Sequence, residues 1–181
     1  TAYEIPKRDW SSDVCSSDLQ FNSNNLNRLV RLNSDGSLDT SFSGLTIGFT
    51  GATPGAFPGV LNVKQDSSGK YLVVGNFLTY NGTSVPKIVR LNNDGSLDTT
   101  FNYTGASGNR IHSLDFQSTG KIIVPIDTTG IIRLNTDGSI DNTFVVVPTG
   151  NDCYFVKVLP DDSIYAGSRG TGNILRKILA N

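Results

Sequence analysis

The chain has 181 residues, 37% hydrophobic and 17% charged, with a formal net charge of −1. That length supports a buried core in one domain. No apolar run approaches the ~20 residues of a membrane-spanning helix, and the balanced charge leaves no electrostatic footprint for nucleic acid. One Glu and no Met stand against 17 Asn, 19 Ser, 17 Thr, 19 Gly and 15 Asp. Turn formers and strand formers in this proportion predict an all-β protein of many short strands.

Residues 1–19 (TAYEIPKRDWSSDVCSSDL) hold the only Trp, Trp10, the only Glu, Glu4, and one of two cysteines, Cys15. They show neither helical nor strand periodicity. Residues 1–5 and 9–19 resemble the in-frame translation of a short-read sequencing adapter, and the segment is set aside from fold reasoning as a non-native tail. The remaining 20–181 carry 13 Lys and Arg against 12 Asp, a net charge of +1. They contain one cysteine, Cys153, so an internal disulfide is not expected.

From residue 20 onward the chain repeats itself. VRLNSDGSLDTSF (30–42), VRLNNDGSLDTTF (89–101) and IRLNTDGSIDNTF (132–144) are one motif three times, with arginines at 31, 90 and 133. Upstream, VLNVKQDSSGKYLVV (60–74) aligns with IHSLDFQSTGKIIVP (111–125). A fourth, partial copy reads FVKVLPDDSIYAG (155–167) and then NILRKIL (173–179), with Arg176 taken as the counterpart of the repeated arginine. The spacing shrinks from the first pair of arginines to the second because of two insertions, 43–59 and the loop 76–86.

In chain order the units are a partial one at 20–43, a full one at 60–101, a short one at 110–144 and a partial one at 154–181. The full unit predicts four short antiparallel strands: a, 60–65; b, 70–77; c, 86–92; and d, 96–101. Four-stranded units at this period suggest propeller blades. A propeller closes with about four to eight blades, so an incomplete array of about three is expected.

The spacing of RLNNDGSLD sets the register. A three-residue hairpin loop ending in a left-handed residue wants Gly at its last position. With Asn93, Asp94 and Gly95 as the loop, Asn92 faces Ser96, Leu91 faces Leu97 and Arg90 faces Asp98. The same register pairs Arg31 with Asp39, Arg133 with Asp141, Leu32 with Leu38 and Leu134 with Ile140. Each hairpin then has an aliphatic face and an Arg–Asp face. Arg rather than Lys favours a pair sandwiched between blades. The same residues resemble the middle of an EF-hand loop, but Arg31, Arg90 and Arg133 stand at the first acidic ligand and Phe42, Phe101 and Phe144 at the closing Glu. A structural turn is therefore the preferred reading.

Catalytic constellations are missing. His112 is the sole histidine, expected to face solvent or flank a hairpin, with no acid placed beside it by the sequence. Cys153, just before strand a of the last unit, is expected to be a small buried or edge residue. Asp39, Asp98 and Asp141 recur with the motif and are read as structural. Asp161 and Asp162 are read as an a–b turn, and Lys70 and Lys121 as hairpin lysines rather than ends of a phosphate loop. Tyr80, Asn81 and Thr83 in one insertion, and Phe49 and Phe57 in the other, could stack on a sugar; a turn with a packing aromatic is the preferred reading. The sequence assigns no catalytic, metal or cofactor-binding residue, calls for no cofactor and leaves the ligand-binding residues open.

GKYLVVGNF (69–77), YNG (80–82) and IVRLNNDGSLDTTF (88–101) resemble the delta-60 repeat of bacterial β-propeller proteins. The resemblance covers 20–181. The third unit lacks the YNG loop and has Pro125-Ile126 where Val74-Gly75 stand; the last has no DGS turn. The resemblance implies a surface-exposed or secreted bacterial protein with no defined catalytic activity. Its expected role is structure, adhesion or ligand binding, with a cell-surface glycan or protein as partner and no nucleic acid or membrane span. The alternative is a fragment of a propeller enzyme acting on carbohydrate, its active residues in blades outside this chain. Because the turn carries arginine where calcium would need an acid, calorimetric titration with calcium is expected to give no heat; a micromolar site would overturn the structural reading.

Overall fold

The computed structural model describes residues 20–21, 24–25, 28–42, 48–51, 59–105, 110–127, 129–147, 153–168 and 176–178. The adapter-like segment 1–19 and Phe57 lie outside them. The described elements are all β. The strands are β1 (Gln20–Phe21), β2 (Asn24–Asn25), β3 (Phe49–Thr50), β4 (Gly59–Gln65), β5 (Tyr71–Asn76), β6 (Thr79–Tyr80), β7 (Thr83–Ser84), β8 (Ile88–Leu91), β9 (Asp115–Phe116), β10 (Ile122–Ile126), β11 (Gly130–Leu134), β12 (Cys153–Val158), β13 (Ile164–Ser168) and β14 (Arg176–Ile178).

Three antiparallel sheets, β4-β5-β8, β9-β10-β11 and β12-β13-β14, are the a, b and c strands of successive blades. The expected fourth strand contributes a single bridge. Leu97 pairs with Leu91 and Ile140 with Leu134, as Leu38 does with Leu32 in the first hairpin. The chain then turns, because Asp98 Oδ1 accepts from the Thr100 amide at 3.0 Å and its hydroxyl at 2.6 Å. A carboxylate that captures the backbone two residues on ends a strand.

The hairpin register is the one the glycine dictates. Asn92 N–H donates to Ser96 O at 2.8 Å and Asp98 N–H to Arg90 O at 2.9 Å. Gly36, Gly95 and Gly138 have φ of 84°, 81° and 90°, a region that L side chains avoid. At Gly138 a Cβ would also meet the Phe101 ring of the preceding blade at 3.0 Å. Each arginine Nε lies 2.7 Å from its aspartate: Arg31–Asp39, Arg90–Asp98 and Arg133–Asp141.

Packing places these pairs between blades. Arg90 Nη1 donates to Thr136 O in the next blade's turn at 2.7 Å. Arg31 does the same to Asn93 O and, at 3.2 Å, to Asn93 Oδ1. The guanidinium carbons of Arg31, Arg90 and Arg133 sit 5.0, 5.1 and 4.9 Å from the ring centroids of Phe42, Phe101 and Phe144, a cation–π arrangement. Lys70 and Lys121, the hairpin lysines, add ion pairs to Asp98 and Asp141 at 2.8 and 2.5 Å.

Strand b divides its faces between two neighbours. Val73 joins Phe42, Phe49 and Leu91 in one cluster, while Leu72 and Val74 join Ile111, Leu114, Ile122 and Val124 in the next. Ile123 turns the other way, toward Val156 and Ile164 of the following blade. Period-2 alternation thus fills two separate cores, so both faces of a strand such as β10 are apolar and buried.

The insertions form a sheet of their own, β3-β6-β7. Asn81 and Gly82 have φ of 47° and 81°, the two-residue turn that fits a right-twisted hairpin. Asn81 Oδ1 accepts from Gly48 N–H at 2.8 Å and ties the two insertions together.

One alignment needs correction. β13 pairs with β14 so that Tyr165 faces Lys177, where Leu72 faces Arg90 and Ile123 faces Arg133. Lys177, not Arg176, therefore holds the repeated arginine's place, and its partner is Asp161 at 3.5 Å. Without a DGS turn the local sequence offers nothing to fix the register.

Arg90→Met removes a partner from Asp98, whose side chain is 4% exposed. The loss is expected to be about 2 kcal/mol, since Lys70 remains as a second donor. Urea denaturation of wild type and variant checks this; a shift indistinguishable from zero would mean that the pair contributes only as a solvated surface contact.

Candidate functional site

In each of the three described three-stranded blades the chain runs one way on strand a, back on b and the first way again on c. The a–b and DGS turns therefore share one end, and the b–c loops and blade-to-blade connections share the other. At that loop end each first strand carries one residue more than its partner strand. The register shifts between Val60 and Asn62 in β4 and between Cys153 and Phe155 in β12. In the third blade Ile111 bridges Ile126 while Asp115 pairs with Ile123, the same one-residue excess. Extra residues of this kind re-aim side chains. They fall on Leu61 and Tyr154 and, in the third blade, within 112–114, where His112 is the aligned counterpart of both.

Two of these meet. The His112 and Tyr154 rings stack with centroids 4.5 Å apart and a 36° tilt. His112 Nε2 lies 3.4 Å from Asp127 Oδ2, with side chains 15% and 16% exposed. His112, expected from the sequence to face solvent or flank a hairpin, is thus half-buried between blades beside an acid. Asp127 follows β10, and its amide donates to Arg110 O at 3.4 Å. The acid was illegible in the sequence because it lies 15 positions further on, beyond two strands.

Toward the turn end a row of charge crosses the blades. Lys64, Asp115 and Lys157 occupy one strand position, facing Leu72, Ile123 and Tyr165 respectively. Asp115 receives Lys64 at 2.6 Å and Lys157 at 3.1 Å, and the Val158 amide at 2.8 Å. Burial raises its pKa, and these donors outweigh that and hold it below the usual carboxylate range.

Lys87 was missed. It is 1% exposed, and Nζ donates to Phe77 O at 2.9 Å and Asn76 Oδ1 at 3.2 Å, both neutral acceptors. Burial lowers its pKa, and the charge of Arg110 adds to the effect.

Cys153 is the first residue of β12 and fully buried. Its thiol contacts Phe155 O and Gly167 O, and burial raises its pKa, so the thiolate a nucleophile requires is disfavoured. Asp161 and Asp162 lie in the a–b turn, where Leu159 N–H donates to Ser163 O. Tyr80 and Phe49 are buried with ring centroids 4.5 Å apart, and the Tyr80 hydroxyl donates to Gly95 O. Neither is free to stack on a sugar. Among the described residues, no three His, Cys, Asp or Glu side chains are grouped to hold a metal.

Face-to-face sheets joined by a repeated turn define the class as a β-propeller. The family model described as a domain of unknown function (DUF5122) beta-propeller matches residues 13–42, 67–101 and 117–144, and the chain belongs to that family. No curated protein matches the sequence. Among solved structures, the chain is similar to virginiamycin B lyase from Staphylococcus aureus, at 17% identity and a TM-score of 0.53, over 87% of this chain and 50% of that one. It is also similar to the extracellular domain of the one-component system BT4673 from B. thetaiotaomicron, at 15% identity and a TM-score of 0.51, over 80% of this chain and 18% of that one. The chain thus spans half or less of each structure, and at these identities the likeness is one of fold.

Lys87 carries an alkaline prediction. Its folded pKa lies below its unfolded value, so the unfolded state binds more protons between the two, and stability rises with pH across that window. Urea denaturation between about pH 8 and pH 10 should show the rise in wild type and lose it in Lys87→Met. An identical pH dependence in both proteins would show that the burial of Lys87 carries no linkage.

Proposed function

We propose that the chain is a non-enzymatic β-propeller repeat module of a secreted or cell-surface bacterial protein, and that it binds a glycan at the loop end of its first strands. The observation that carries this reading is a division of labour. The repeated residues Arg, Asp, Gly and Phe are occupied in stacking blades. His112, Tyr154 and Asp127, which do not recur, gather at one end, where an aromatic face lies beside polar groups. Rings with adjacent hydrogen-bonding groups suit a sugar's apolar face and hydroxyls. The location follows from the resemblance to the delta-60 repeat.

The pairing of His112 with Asp127 favours a second reading. An imidazole oriented by an acid is a component of general acid–base chemistry, so the chain could be part of a propeller enzyme acting on carbohydrate, completed by residues of other blades.

One experiment separates the two. The whole chain is applied to a glycan array, and each bound glycan is recovered and weighed by mass spectrometry. Wild type is expected to retain a defined set, returned intact, with binding about tenfold weaker in His112→Ala and Tyr154→Ala at unchanged melting temperature. Shortened or unsaturated glycans would establish the enzymatic reading. Equal binding by all three proteins would remove the loop end as the site.

A further inference from the structure

At the opposite, turn end, the second-to-third and third-to-fourth blade boundaries each bring one a–b turn against the next. The turns 66–69, 117–120 and 159–162 are equivalent by their hydrogen bonds: Asp66, Gln117 and Leu159 N–H donate to Lys70, Lys121 and Ser163 O. Their last positions are left-handed, filled by Gly69 (φ 83°), Gly120 (φ 79°) and Asp162 (φ 59°). An aspartate is strained there, and the third-to-fourth blade boundary shows what offsets the strain. The Ser118 amide donates to Asp162 Oδ1 at 2.7 Å and the Ser118 hydroxyl to Asp162 Oδ2 at 2.5 Å. One serine thus grips a carboxylate through two donors.

At the second-to-third boundary Ser67 stands in the place of Ser118, and Gly120 in the place of Asp162. The donors remain while the carboxylate is gone. Among the described residues neither the Ser67 amide nor its hydroxyl has a partner. A cleft of about 340 Å³ opens there, lined by Ser67, Arg90, Gln117, Gly120, Ile122 and Thr136 among others. Arg90 brings a cation to its wall, held by Asp98 and Thr136. Asp66 also lines the cleft, but its Oδ1 is turned into its own loop, where the Ser68 and Lys70 amides donate to it at 2.8 and 3.0 Å.

We propose that this cleft is a receptor for a small carboxylate, which takes the place that the Asp162 side chain fills one boundary further on. Ser67 supplies two donors, Arg90 the opposite charge, and Gly120 the space. The site lies at the other end of the first strands from His112 and stands independently of the glycan reading. The carboxylate could arrive on a free organic acid or on an acidic side chain of a partner protein.

The test is an amide NMR titration of the whole labelled chain with sodium acetate, against sodium chloride at equal ionic strength. A parallel arm uses N-acetyl-aspartate N-methylamide. Acetate, but not chloride, is expected to shift the Ser67 amide saturably. Ser67→Ala should weaken binding about fivefold, and Asp66→Asn, which removes a like charge, should tighten it by a similar factor. Gly120→Asp should abolish acetate binding, because a tethered carboxylate then occupies the site. Its Cβ would meet only the Thr136 methyl, at 3.3 Å, and should that variant not fold, the two other substitutions carry the test. Tighter binding of the aspartate amide identifies an acidic side chain as the source, and equal binding a free acid. A Ser67 amide that stays still in wild type and Asp66→Asn, or acetate binding untouched by Gly120→Asp, overturns the proposal.

Discussion

The structure turns on one guanidinium used three ways. In each of the three motif copies the arginine closes its own hairpin through Nε to the aspartate eight residues on, lies over the phenylalanine that ends the motif, and reaches through Nη1 to a third partner. Arg31 and Arg90 bond the backbone of the following DGS turn. Arg133 Nη1 donates to Gln117 Oε1 at 3.3 Å. A lysine could neutralise the aspartate, but it lacks the planar fork needed to serve three directions at once. Local turn chemistry and non-local blade stacking are thereby joined in a single side chain, which explains why the motif tolerates so little change among its copies.

Around that constraint the repeats divide their residues. The aliphatic positions of strand b feed two cores in alternation, and the 43–59 and 76–86 insertions form an accessory sheet rather than disturbing the stack. Tyr80 links that sheet to the blade through Gly95, so the extra length of the second unit is anchored at the same turn the arginine of the first unit approaches. The positions free of these duties are where the units differ: His112 and Tyr154 at the loop end, Lys64, Asp115 and Lys157 along the strand, and Ser67 and Gly120 at the turn end.

The features legible in the sequence were those decided within a few residues. A glycine at a fixed offset dictates a hairpin register, and from it follow the pairs Arg90–Asp98 and Leu91–Leu97. The Asn-Gly of 81–82 declares a tight turn in the same way. What escaped was set by distance or by its absence. His112 and Asp127 approach through a one-residue excess that simple alternation does not encode. Lys87 is buried by the loop it follows, though its sequence looks like any strand start. The last unit, lacking a DGS turn, was misaligned by one residue between Arg176 and Lys177.

Because Arg31 and Arg90 both reach toward the higher-numbered neighbour, the stack has a polarity that its near-identical units conceal. The turns at Gly95 and Gly138 are each clasped from the preceding unit. Each clasp couples two neighbouring units reciprocally, so the array is held by a series of identical links between nearest neighbours.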